Sequence, residues 1–374
     1  MHIVHVLTRL LQAGSEENTV ATCLWQARAG HEVTLVHGQD FDPRWYDTPP
    51  SGVTLKLVPE LIHPISVRDD LRALNALRKL YRDLGPDVIH THQSKAGVLG
   101  RLAASAVPTA QVVHGIHIVP FNGVGWLRRT IFIAAERAAA RRTDLFIAVS
   151  RNAAHQYIEA GICTEHKARC VYSGMQLEPF IKSDPPADWR SLVGQNESTP
   201  VVLMLAAFEE RKRHVSFLEV FQQVIDRAPD ARLLLAGAGP QENNIRHAVR
   251  DMGLEDRVVF CGHRPDPGAL LALADVCVLT SNREGLPRVV VQSLAAGCPV
   301  VVTSLPGIEE IVVNGVNGII TDTDDLSETA RSVADILSNE RLRKWLQDGA
   351  AATDVSNWRL ELLGERTTAQ YKAA

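Results

Sequence analysis

The segment Thr280-Ser-Asn-Arg-Glu284-Gly285-Leu286-Pro287-Arg-Val-Val-Val-Gln292 decides the fold that this sequence predicts. It follows the apolar run Val276–Leu279 and precedes a helix-length stretch that begins at proline, a residue favoured at the first helical position. A carboxylate such as Glu284 can accept hydrogen bonds from sugar hydroxyls, and the N–H groups of Gly285 and Leu286 can receive phosphate oxygens at the helix N-terminus. The segment therefore predicts a strand, a binding loop and a helix of an α/β protein.

The same rhythm of short β-branched runs and helix-length amphipathic stretches extends over the whole chain. Such repetition predicts parallel sheets with helices on both faces. A stretch rich in Asp, Pro, Ser and Asn, residues 182–200, is predicted to be a linker. We therefore expect two doubly wound Rossmann-like domains, residues 1–182 and 183–355, and a last helix, residues 356–374, that crosses back to the first domain. Ligands of open parallel sheets lie beyond the carboxyl ends of the strands, so the active site is expected in the cleft between the domains.

Composition narrows the class of protein. The chain has 374 residues and a net charge of -4, which argues against bulk nucleic-acid binding. Its six cysteines are scattered without a C-x-x-C pair, so structural zinc is not expected and a reducing cytoplasm is the simplest setting. No charged leader with an apolar stretch precedes the first strand, so no signal peptide is expected. Basic residues outnumber acidic ones in the first half only, which would suit anionic lipid or a phosphorylated acceptor at that end.

Two loops of the second half carry further candidate donor-binding residues. The run Phe208-Glu-Glu-Arg-Lys212-Arg-His follows a strand, and a lysine there can neutralise a diphosphate as a point charge. A solvated basic turn is an equally good interpretation. The run Gly262-His263-Arg264 ends another strand and could cradle a base or ribose, although this signal is weak.

The first loop of the chain contains Gly14 and Ser15 between a strand and a helix. A glycine at this turn lets the backbone approach an anion, so contact with a diphosphate or sugar is one interpretation. The other is an ordinary turn with Ser15 as helix N-cap. No G-x-G-x-x-G or G-x-x-x-x-G-K-[ST] pattern occurs, so dinucleotide and P-loop readings are weak.

Histidines mark the ends of two strands in the first half. His90 and His92 point the same way and could bind metal, but no nearby carboxylate or cysteine completes a site, so metal is not expected. Together with His92, the following Lys95 and Arg101 are candidates for binding an anionic acceptor, or else a solvated helix start. His114-Gly115 ends the next strand, where we expect an exposed histidine that bonds a sugar hydroxyl or phosphate.

A basic stretch runs from Trp126 through Arg128 and Arg129 to Arg142, with Phe132 near its start. Such a helix could lie on an anionic membrane surface. A surface helix that packs its apolar stripe on its own sheet is at least as good an interpretation.

These residues together resemble the family 4 retaining glycosyltransferases, which have the GT-B fold, over nearly the whole chain. The family pattern is a carboxylate, seven residues, a second carboxylate and then A-x-G-x-P-V-V, to which residues 284–302 are similar. The opening Ala13-Gly14-Ser15-Glu16, the His114-Gly115 turn and the Gly237-x-Gly239-Pro240 loop also match. The runs H-T-H-x-S-K-A-G-x-L-G-R and E-G-L-P-R-V-V-V-Q look like members that build bacterial surface glycans, often on lipid carriers.

The resemblance implies an acceptor-binding first domain, a nucleotide-sugar-binding second domain and a role for each matched residue. Glu284 would bind hydroxyls of the donor sugar, Lys212 its diphosphate, and Gly285 and Leu286 would present N–H groups to it. Gly14 would make a close backbone contact with the donor, and His114 would line the reaction centre. Such enzymes need neither a metal nor a cofactor beyond the nucleotide-sugar co-substrate, because protein charges and helix dipoles stabilise the leaving diphosphate.

Three positions depart from the family pattern. Gln292 stands where the family has a second carboxylate that holds the ribose, and an amide accepts hydrogen bonds less strongly than a charged group. Ala207 replaces the usual diphosphate arginine, a loss of about 1.5–3 kcal/mol of donor binding that Arg211 or Arg213 could offset. Ala13 replaces a second glycine beside Gly14.

The leading functional prediction is retaining, metal-independent transfer of a hexose from a nucleotide sugar, UDP-linked, to a glycan or lipid-linked acceptor in bacterial surface-polysaccharide or lipopolysaccharide synthesis. The enzyme would be cytoplasmic, with peripheral contact to the inner face of an anionic membrane. One alternative is a non-catalytic partner that only binds nucleotide sugar, motivated by the missing arginine. Another is a nucleotide-sugar epimerase of the same fold. The sequence leaves base, sugar, acceptor and oligomeric state open.

Overall fold

The computed structural model of the chain describes residues 1–11, 14–181, 183–194, 196 and 198–372. Ala13 lies outside these residues. The described chain forms two compact units, residues 1–175 with 357–374, and residues 176–356. Each contains one parallel sheet with helices on both faces, which confirms the predicted fold class.

The first unit has a seven-stranded parallel sheet in the order β3-β2-β1-β4-β5-β6-β7. Its strands are β1 His2–Leu10, β2 Glu32–Phe41, β3 Val53–Leu57, β4 Val88–His92, β5 Gln111–Ile116, β6 Leu145–Ala148 and β7 Ala168–Cys170. Its helices are α1 Gly14–Arg28, α2 Arg44–Asp47, α3 Val67–Leu84, α4 Ser94–Ala103, α5 Trp126–Ala140, α6 Arg151–Glu159 and, from the end of the chain, α14 Leu360–Lys372.

The second unit has a six-stranded parallel sheet in the order β10-β9-β8-β11-β12-β13. Its strands are β8 Val201–Leu205, β9 Arg232–Ala236, β10 Val258–Gly262, β11 Val276–Leu279, β12 Val300–Thr303 and β13 Gly318–Thr321. Its helices are α7 Trp189–Val193, α8 His214–Ile225, α9 Glu242–Asp251, α10 Pro267–Leu273, α11 Arg288–Ala295, α12 Leu326–Ser338 and α13 Glu340–Ala351.

Alternation along each strand decides which helix covers which face. In β1, Val4 and Val6 pack with residues of α3 and α4 on one face of the sheet. Ile3 packs with residues of α14 and Leu7 with residues of α1 on the other face. Because successive side chains of a strand point to opposite faces, a strand buried on both faces is apolar nearly throughout. Polar side chains inside such a strand, such as His5, therefore need partners within the core.

In each sheet, the first three strands follow one another in one direction, and the next strand is then added on the other side of the first. In the first unit this reversal of strand order lies between β1 and β4, and in the second it lies between β8 and β11. The loops that leave the carboxyl ends of these neighbouring strands diverge to opposite faces of the sheet, so a crevice opens between them. The fold thus offers one binding edge in each unit.

The chain leaves the first unit between residues 175 and 176, before the predicted linker, whose described residues belong to the second unit. The reason is that Leu177 and Phe180 are buried apolar residues. A Cβ atom at Gly268, in α10, would collide with the carbonyl oxygen of Pro179, so this segment packs closely on α10. Amino-acid composition had instead predicted the boundary in the polar stretch that follows, residues 182–200.

The last helix packs against α1 of the first unit, as predicted. Met175 donates its N–H to the Trp358 carbonyl at 2.9 Å and accepts from the Leu360 N–H at 3.1 Å, which fixes the entry to α14. Gly364 then faces Trp25 of α1, and a Cβ atom on this glycine would collide with the Cβ and Cγ atoms of Trp25. The glycine sets how closely the two helices approach.

We expect Gly364→Ala to lower the free energy of unfolding of the first unit. Overpacking costs about 1–3 kcal/mol, and the better helix propensity of alanine offsets up to about 1 kcal/mol of this. Chemical denaturation measures the change. Glu365→Ala, on the exposed side of the same helix, is the control and should leave stability nearly unchanged. Equal or greater stability of Gly364→Ala would contradict this packing.

Candidate functional site

The carboxylate of Glu284 is the centre of a charged cluster in the second unit. Its Oε1 atom accepts a hydrogen bond from Arg211 Nη1 at 2.7 Å, one from Ser281 Oγ at 2.9 Å and one from the Lys212 ammonium. The side chains of Glu284 and Lys212 are each only 11% exposed. Glu284 therefore brings two cations together in a largely desolvated place, where charge-assisted hydrogen bonds are strong.

The strand ends bring these groups together. Arg211 and Lys212 follow β8 on a single 3-10 turn, residues 210–212, while Ser281 and Glu284 follow β11, the neighbouring strand. Thr280 Oγ1 donates to the Lys212 carbonyl at 2.8 Å, and the Asn282 N–H donates to the Arg211 carbonyl at 3.1 Å. The cluster thus lies at the strand-order reversal of this sheet, where a ligand is expected.

The sequence left open whether Arg211 or Arg213 could offset the arginine that is missing at Ala207. Of the two neighbours considered as substitutes for an arginine at Ala207, Arg211 reaches Glu284, while Arg213 donates to the Thr323 carbonyl at 2.6 Å. Arg213 has φ 58°, a left-handed conformation that turns the chain into α8. Of these two arginines, Arg211 is therefore the one that contacts Glu284, and it also bonds Glu209 at 2.7 Å.

The surroundings of Glu284 are suited to an anion. Gly285 and Leu286 are half-buried in the loop that leads into α11, so their N–H groups precede a helix N-terminus. Gln292 is half-buried on α11 itself. Together with the positive charges of Lys212 and Arg211, these groups suit a negatively charged diphosphate better than they suit a neutral ligand.

The loop after β10 contributes differently from the prediction. Arg264 bonds Asp188 at 2.8 Å and Asp266 at 2.7 Å, and these contacts lower the pKa of both carboxyl groups. Its charge is thus balanced by protein carboxylates that tie α7 to this loop. His263 is exposed, and space remains beside Gly262.

At the binding edge of the first unit, Gln93, directly after β4, contacts the end of β1 and the first turn of α1. Its Oε1 atom accepts from the Thr8 and Arg9 N–H groups at 2.9 and 3.2 Å, and its Nε2 atom donates to Glu16 Oε1 at 3.0 Å. Gln93 has φ 59°, uncommon for a residue other than glycine, and such backbone strain is typical of functional sites. Glu16 belongs to the opening motif that matches the family, but no sequence pattern gave a role to it or to Gln93.

Gly14 and Ser15 begin α1 beside this junction, both half-buried. The helix starts at Gly14, so Ser15 lies in its first turn and is not an N-cap. The Ser15 hydroxyl donates to Glu16. The first turn of α1 is thereby fixed through Glu16 to Gln93.

His114 is not the exposed loop residue that we expected. β5 continues to Ile116, so the side chain lies in the body of the sheet, 2% exposed. It faces Thr91 Oγ1 at 3.1 Å, and burial and the nearby Arg101 charge lower its pKa well below the usual value. A neutral, enclosed imidazole has no direct access to a substrate here.

Arg101 was expected at a solvated helix start and is instead fully buried. It donates to Glu136 Oε2 at 2.6 Å and to the Gly97 carbonyl at 2.7 Å. The pair joins α4 to α5, because a buried arginine requires a countercharge. Lys95 remains nearer the surface but pairs with Asp70 at 2.5 Å.

His92 is buried among other histidines. Its Nε2 atom lies 2.9 Å from His5 Nδ1, and its Nδ1 atom lies 2.9 Å from His117 Nε2. The His90 and His92 ring centroids lie 4.1 Å apart, with the two rings tilted by 35°. Burial lowers the pKa of His5 to about 4 and holds those of His90 and His92 well below the usual value, so these imidazoles are neutral.

The start of α5 presents a different surface. Trp126, Leu127 and Ile131 are 79%, 57% and 56% exposed, and Arg128 and Arg129 beside them are exposed as well. Phe132, expected among the exposed residues, packs into the core instead. No helix within the described parts of the chain is long and apolar enough to cross a membrane.

Two protein families match the chain, one for each half. The family described as Glycosyltransferase Family 4 matches residues 13–178, and the family described as Glycosyl transferases group 1 matches residues 187–352. Together the two matches span nearly the whole chain. They divide it close to the boundary between the two units.

Among similar proteins is the UDP-Gal:alpha-D-GlcNAc-diphosphoundecaprenol alpha-1,3-galactosyltransferase of Escherichia coli, 26% identical over 76% of this chain and 75% of that protein. The lipopolysaccharide core biosynthesis glycosyltransferase LpsE of Rhizobium meliloti is 32% identical over 60% of this chain and 62% of its own length. Anabaena HepE, whose crystal structure contains UDP and glucose, superposes with a TM-score of 0.80 over the full length of both chains at 19% identity.

His214, directly after the cationic turn, makes the second unit sensitive to acid. It is 3% exposed and packs edge-on to Phe208 at 5.0 Å, and burial and the Lys212 charge lower its pKa to about 4. In the unfolded chain a histidine titrates near 6.5, so below that pH the unfolded state binds more protons. We expect stability to fall between about pH 6.5 and 4 by up to about 1.4 kcal/mol per pH unit from this residue.

Urea unfolding of the wild type and of His214→Phe at several pH values measures this contribution. The variant should lose less stability than the wild type on acidification. Replacement of exposed His247 by Gln is the control and should keep the wild-type slope. Parallel curves for wild type and His214→Phe would refute the assignment.

Proposed function

We propose, on the premise that this chain belongs to glycosyltransferase family 4 and is a glycosyltransferase of the GT-B fold, that it transfers a hexose from a UDP-linked donor to a glycan or lipid-linked acceptor during the synthesis of bacterial surface polysaccharide. The observation that carries the proposal is the convergence of Arg211 and Lys212 on Glu284. Cations for a diphosphate and a carboxylate for sugar hydroxyls are the groups that such a donor requires.

The donor class is supported by the relatives. One is named for UDP-Gal as donor and a diphosphoundecaprenol-linked acceptor, and HepE was crystallised with UDP and glucose. We infer a uridine diphosphate sugar here and, by the same reasoning, a lipid-diphosphate-linked or glycan acceptor. Lipopolysaccharide synthesis is the setting of another relative.

In the proposed reaction, Glu284 exchanges its partners when the donor binds. Lys212 and Arg211 move from the carboxylate to the diphosphate oxygens, and Glu284 then accepts hydrogen bonds from the sugar hydroxyls. As the bond between the anomeric carbon and the diphosphate oxygen breaks, the acceptor oxygen forms the new glycosidic bond and the acceptor hydroxyl gives its proton to the leaving diphosphate. Negative charge grows on that diphosphate, where the two cations and the N–H groups of Gly285 and Leu286 stabilise it. No metal bridges the phosphates in this scheme, and the sugar keeps its anomeric configuration.

In this proposal, the Arg211 guanidinium supplies the positive charge that is missing at Ala207. A guanidinium binds phosphate oxygens in a bidentate way, so its position matters more than its sequence number. Gln292 would accept from a ribose hydroxyl with its amide oxygen. Since the missing arginine motivated a non-catalytic partner, a cation already in place favours an active enzyme over that alternative.

In the first unit, the residues predicted to bind acceptor act indirectly. His92, Lys95 and Arg101 have their polar groups engaged inside the unit, and His114 is enclosed. We propose that they fix the ends of β4 and β5, while Gly14 and Ser15 at the start of α1 remain available to the substrates. Gln93 links the end of β4 to the end of β1 and to the first turn of α1.

The exposed start of α5 would dock on the membrane that holds a lipid-linked acceptor. Trp126, Leu127 and Ile131 would enter the interface, while Arg128 and Arg129 would face anionic headgroups. Tryptophan prefers this interface, and each basic residue near an anionic surface contributes about 1 kcal/mol. The surface would thus bring the enzyme to its acceptor without a membrane span.

We expect Lys212→Ala, Arg211→Ala and Glu284→Ala each to lower kcat/KM for UDP-hexose by roughly 10- to 100-fold or more, because each removes a charge-assisted contact of about 1.5–3 kcal/mol. UDP release with a panel of UDP-hexoses and a lipid-diphosphate-linked acceptor measures the effect. Arg213→Gly is the matched control, because it removes a neighbouring guanidinium and its left-handed backbone suits glycine. Wild-type activity in all three variants would sink the site assignment.

The combined change Trp126→Ala, Leu127→Ser and Ile131→Ser should weaken binding to vesicles that contain phosphatidylglycerol at least tenfold, since three apolar side chains leave the interface. Co-sedimentation measures the partition. Val313→Ser with Trp345→Ala, which removes comparably exposed apolar residues from the second unit, is the control. Equal partition of the two combined variants would exclude α5 as the docking surface.

A further inference from the structure

We propose that His5, His90 and His92 form a binding site for one divalent transition-metal ion of the zinc class in the core of the first unit. One ring nitrogen from each residue lies within 4.8 Å of those of the other two. His5 on β1 and His90 on β4 are direct partners across two adjacent strands, and His92 follows on the same face. Sequence reasoning paired only His90 with His92 and lacked a third ligand. The register of β1 against β4 supplies it.

The hydrogen bonds around the three rings are those of a ligand shell. Imidazoles that bind metal are oriented by a partner on their other nitrogen. His5 Nε2 bonds Gln26 Oε1 at 2.8 Å, His90 Nδ1 bonds the Tyr371 hydroxyl at 2.6 Å, and His92 Nδ1 bonds His117 Nε2 at 2.9 Å. In each ring, one nitrogen has a hydrogen-bond partner outside the three histidines, and the other nitrogen faces the other two rings.

Hydrogen bonding alone does not satisfy the inward nitrogens. His5 Nδ1 and His92 Nε2 face each other at 2.9 Å and can share one proton. His90 Nε2 is buried and has no hydrogen-bond partner among the described residues. An unpaired buried polar atom is costly, so it calls for a ligand. A cation that accepts one lone pair from each ring satisfies all three.

The surrounding chain leaves room for the rings and for a further ligand. A Cβ atom at position 115 would lie 2.7 Å from His92 Nδ1 and 3.2 Å from His90 Nε2, so Gly115 is the residue that this arrangement tolerates. A cavity beside His90 and His92 is lined by further polar residues, including Asn18 and Ser173. Three histidines with an adjoining open position can complete a four-coordinate zinc site with water or a small anion.

The donor set selects the metal class. Neutral imidazoles without a carboxylate suit zinc, cobalt, nickel or copper, whereas magnesium and calcium require oxygen ligands. His92 also precedes Gln93, whose side chain bonds the end of β1 and the first turn of α1. A bound ion would therefore stiffen the binding edge of the first unit. This role is separate from the diphosphate chemistry of the second unit and does not rest on it.

The test uses the full chain, stripped with a chelator and then titrated with Co²⁺, whose visible absorption reports tetrahedral nitrogen coordination. Thermal unfolding with Zn²⁺ and with Mg²⁺ is measured in parallel. We expect one tightly held ion per chain and a higher unfolding midpoint with Zn²⁺ only. A wild-type chain that retains no Zn²⁺ after gel filtration and shows no shift in its midpoint overturns the proposal, whatever the variants do.

His90→Gln should abolish the Co²⁺ absorption, and Tyr371→Phe, which removes only the hydroxyl that orients His90, should weaken binding about 10- to 100-fold. Near-ultraviolet circular dichroism checks that both variants are folded. Replacement of the exposed His155 and His247 by Gln is the control for adventitious surface sites and should change nothing. A folded His90→Gln chain that binds Co²⁺ like the wild type, or loss of binding in the control, would also overturn the assignment.

Discussion

One carboxylate oxygen, Glu284 Oε1, receives hydrogen bonds from a guanidinium, an ammonium and a hydroxyl, and the candidate donor site depends on this contact. Two cations that are mostly withdrawn from water repel each other and need a counterion. Glu284 supplies it and so keeps Arg211 and Lys212 preorganised before any ligand arrives. A diphosphate carries more negative charge than a carboxylate, so it can take the cations over while their positions change little.

The strand order makes this contact available. Because β8 and β11 are neighbouring parallel strands, the turn at residues 210–212 and the loop at residues 280–287 leave the same edge of the sheet side by side. The alternation of strand and helix predicts such a sheet without knowledge of its contacts. Hence the two sheets follow from the sequence alone, and the family resemblance assigned Lys212 and Glu284 to the same donor. Neither predicts the bonds that align the two loops, such as Thr280 Oγ1 to the Lys212 carbonyl.

The first unit was less predictable, because its polar residues lie inside strands. His114 was placed at a strand end by the glycine after it, yet β5 pairs with its neighbours through Gly115 to Ile116 and encloses the ring. Arg101 looked like a surface charge because its partner, Glu136, is distant in sequence. His5 joins His90 and His92 only through strand register. A short sequence pattern cannot show contacts between residues that are this far apart in the chain, because such contacts depend on which elements become neighbours.

The same reasoning explains how a neighbouring residue can present a charge that one position lacks. What a phosphate requires is a cation at a point in space, and a 3-10 turn places Arg211 against Glu284 although Ala207 precedes the turn. Arg213, only two residues further on, is directed to the Thr323 carbonyl by its left-handed backbone. Backbone conformation therefore decides which of two equally charged neighbours can serve the site. A departure from a family pattern is better judged by where a neighbouring guanidinium can reach than by whether the usual position is filled.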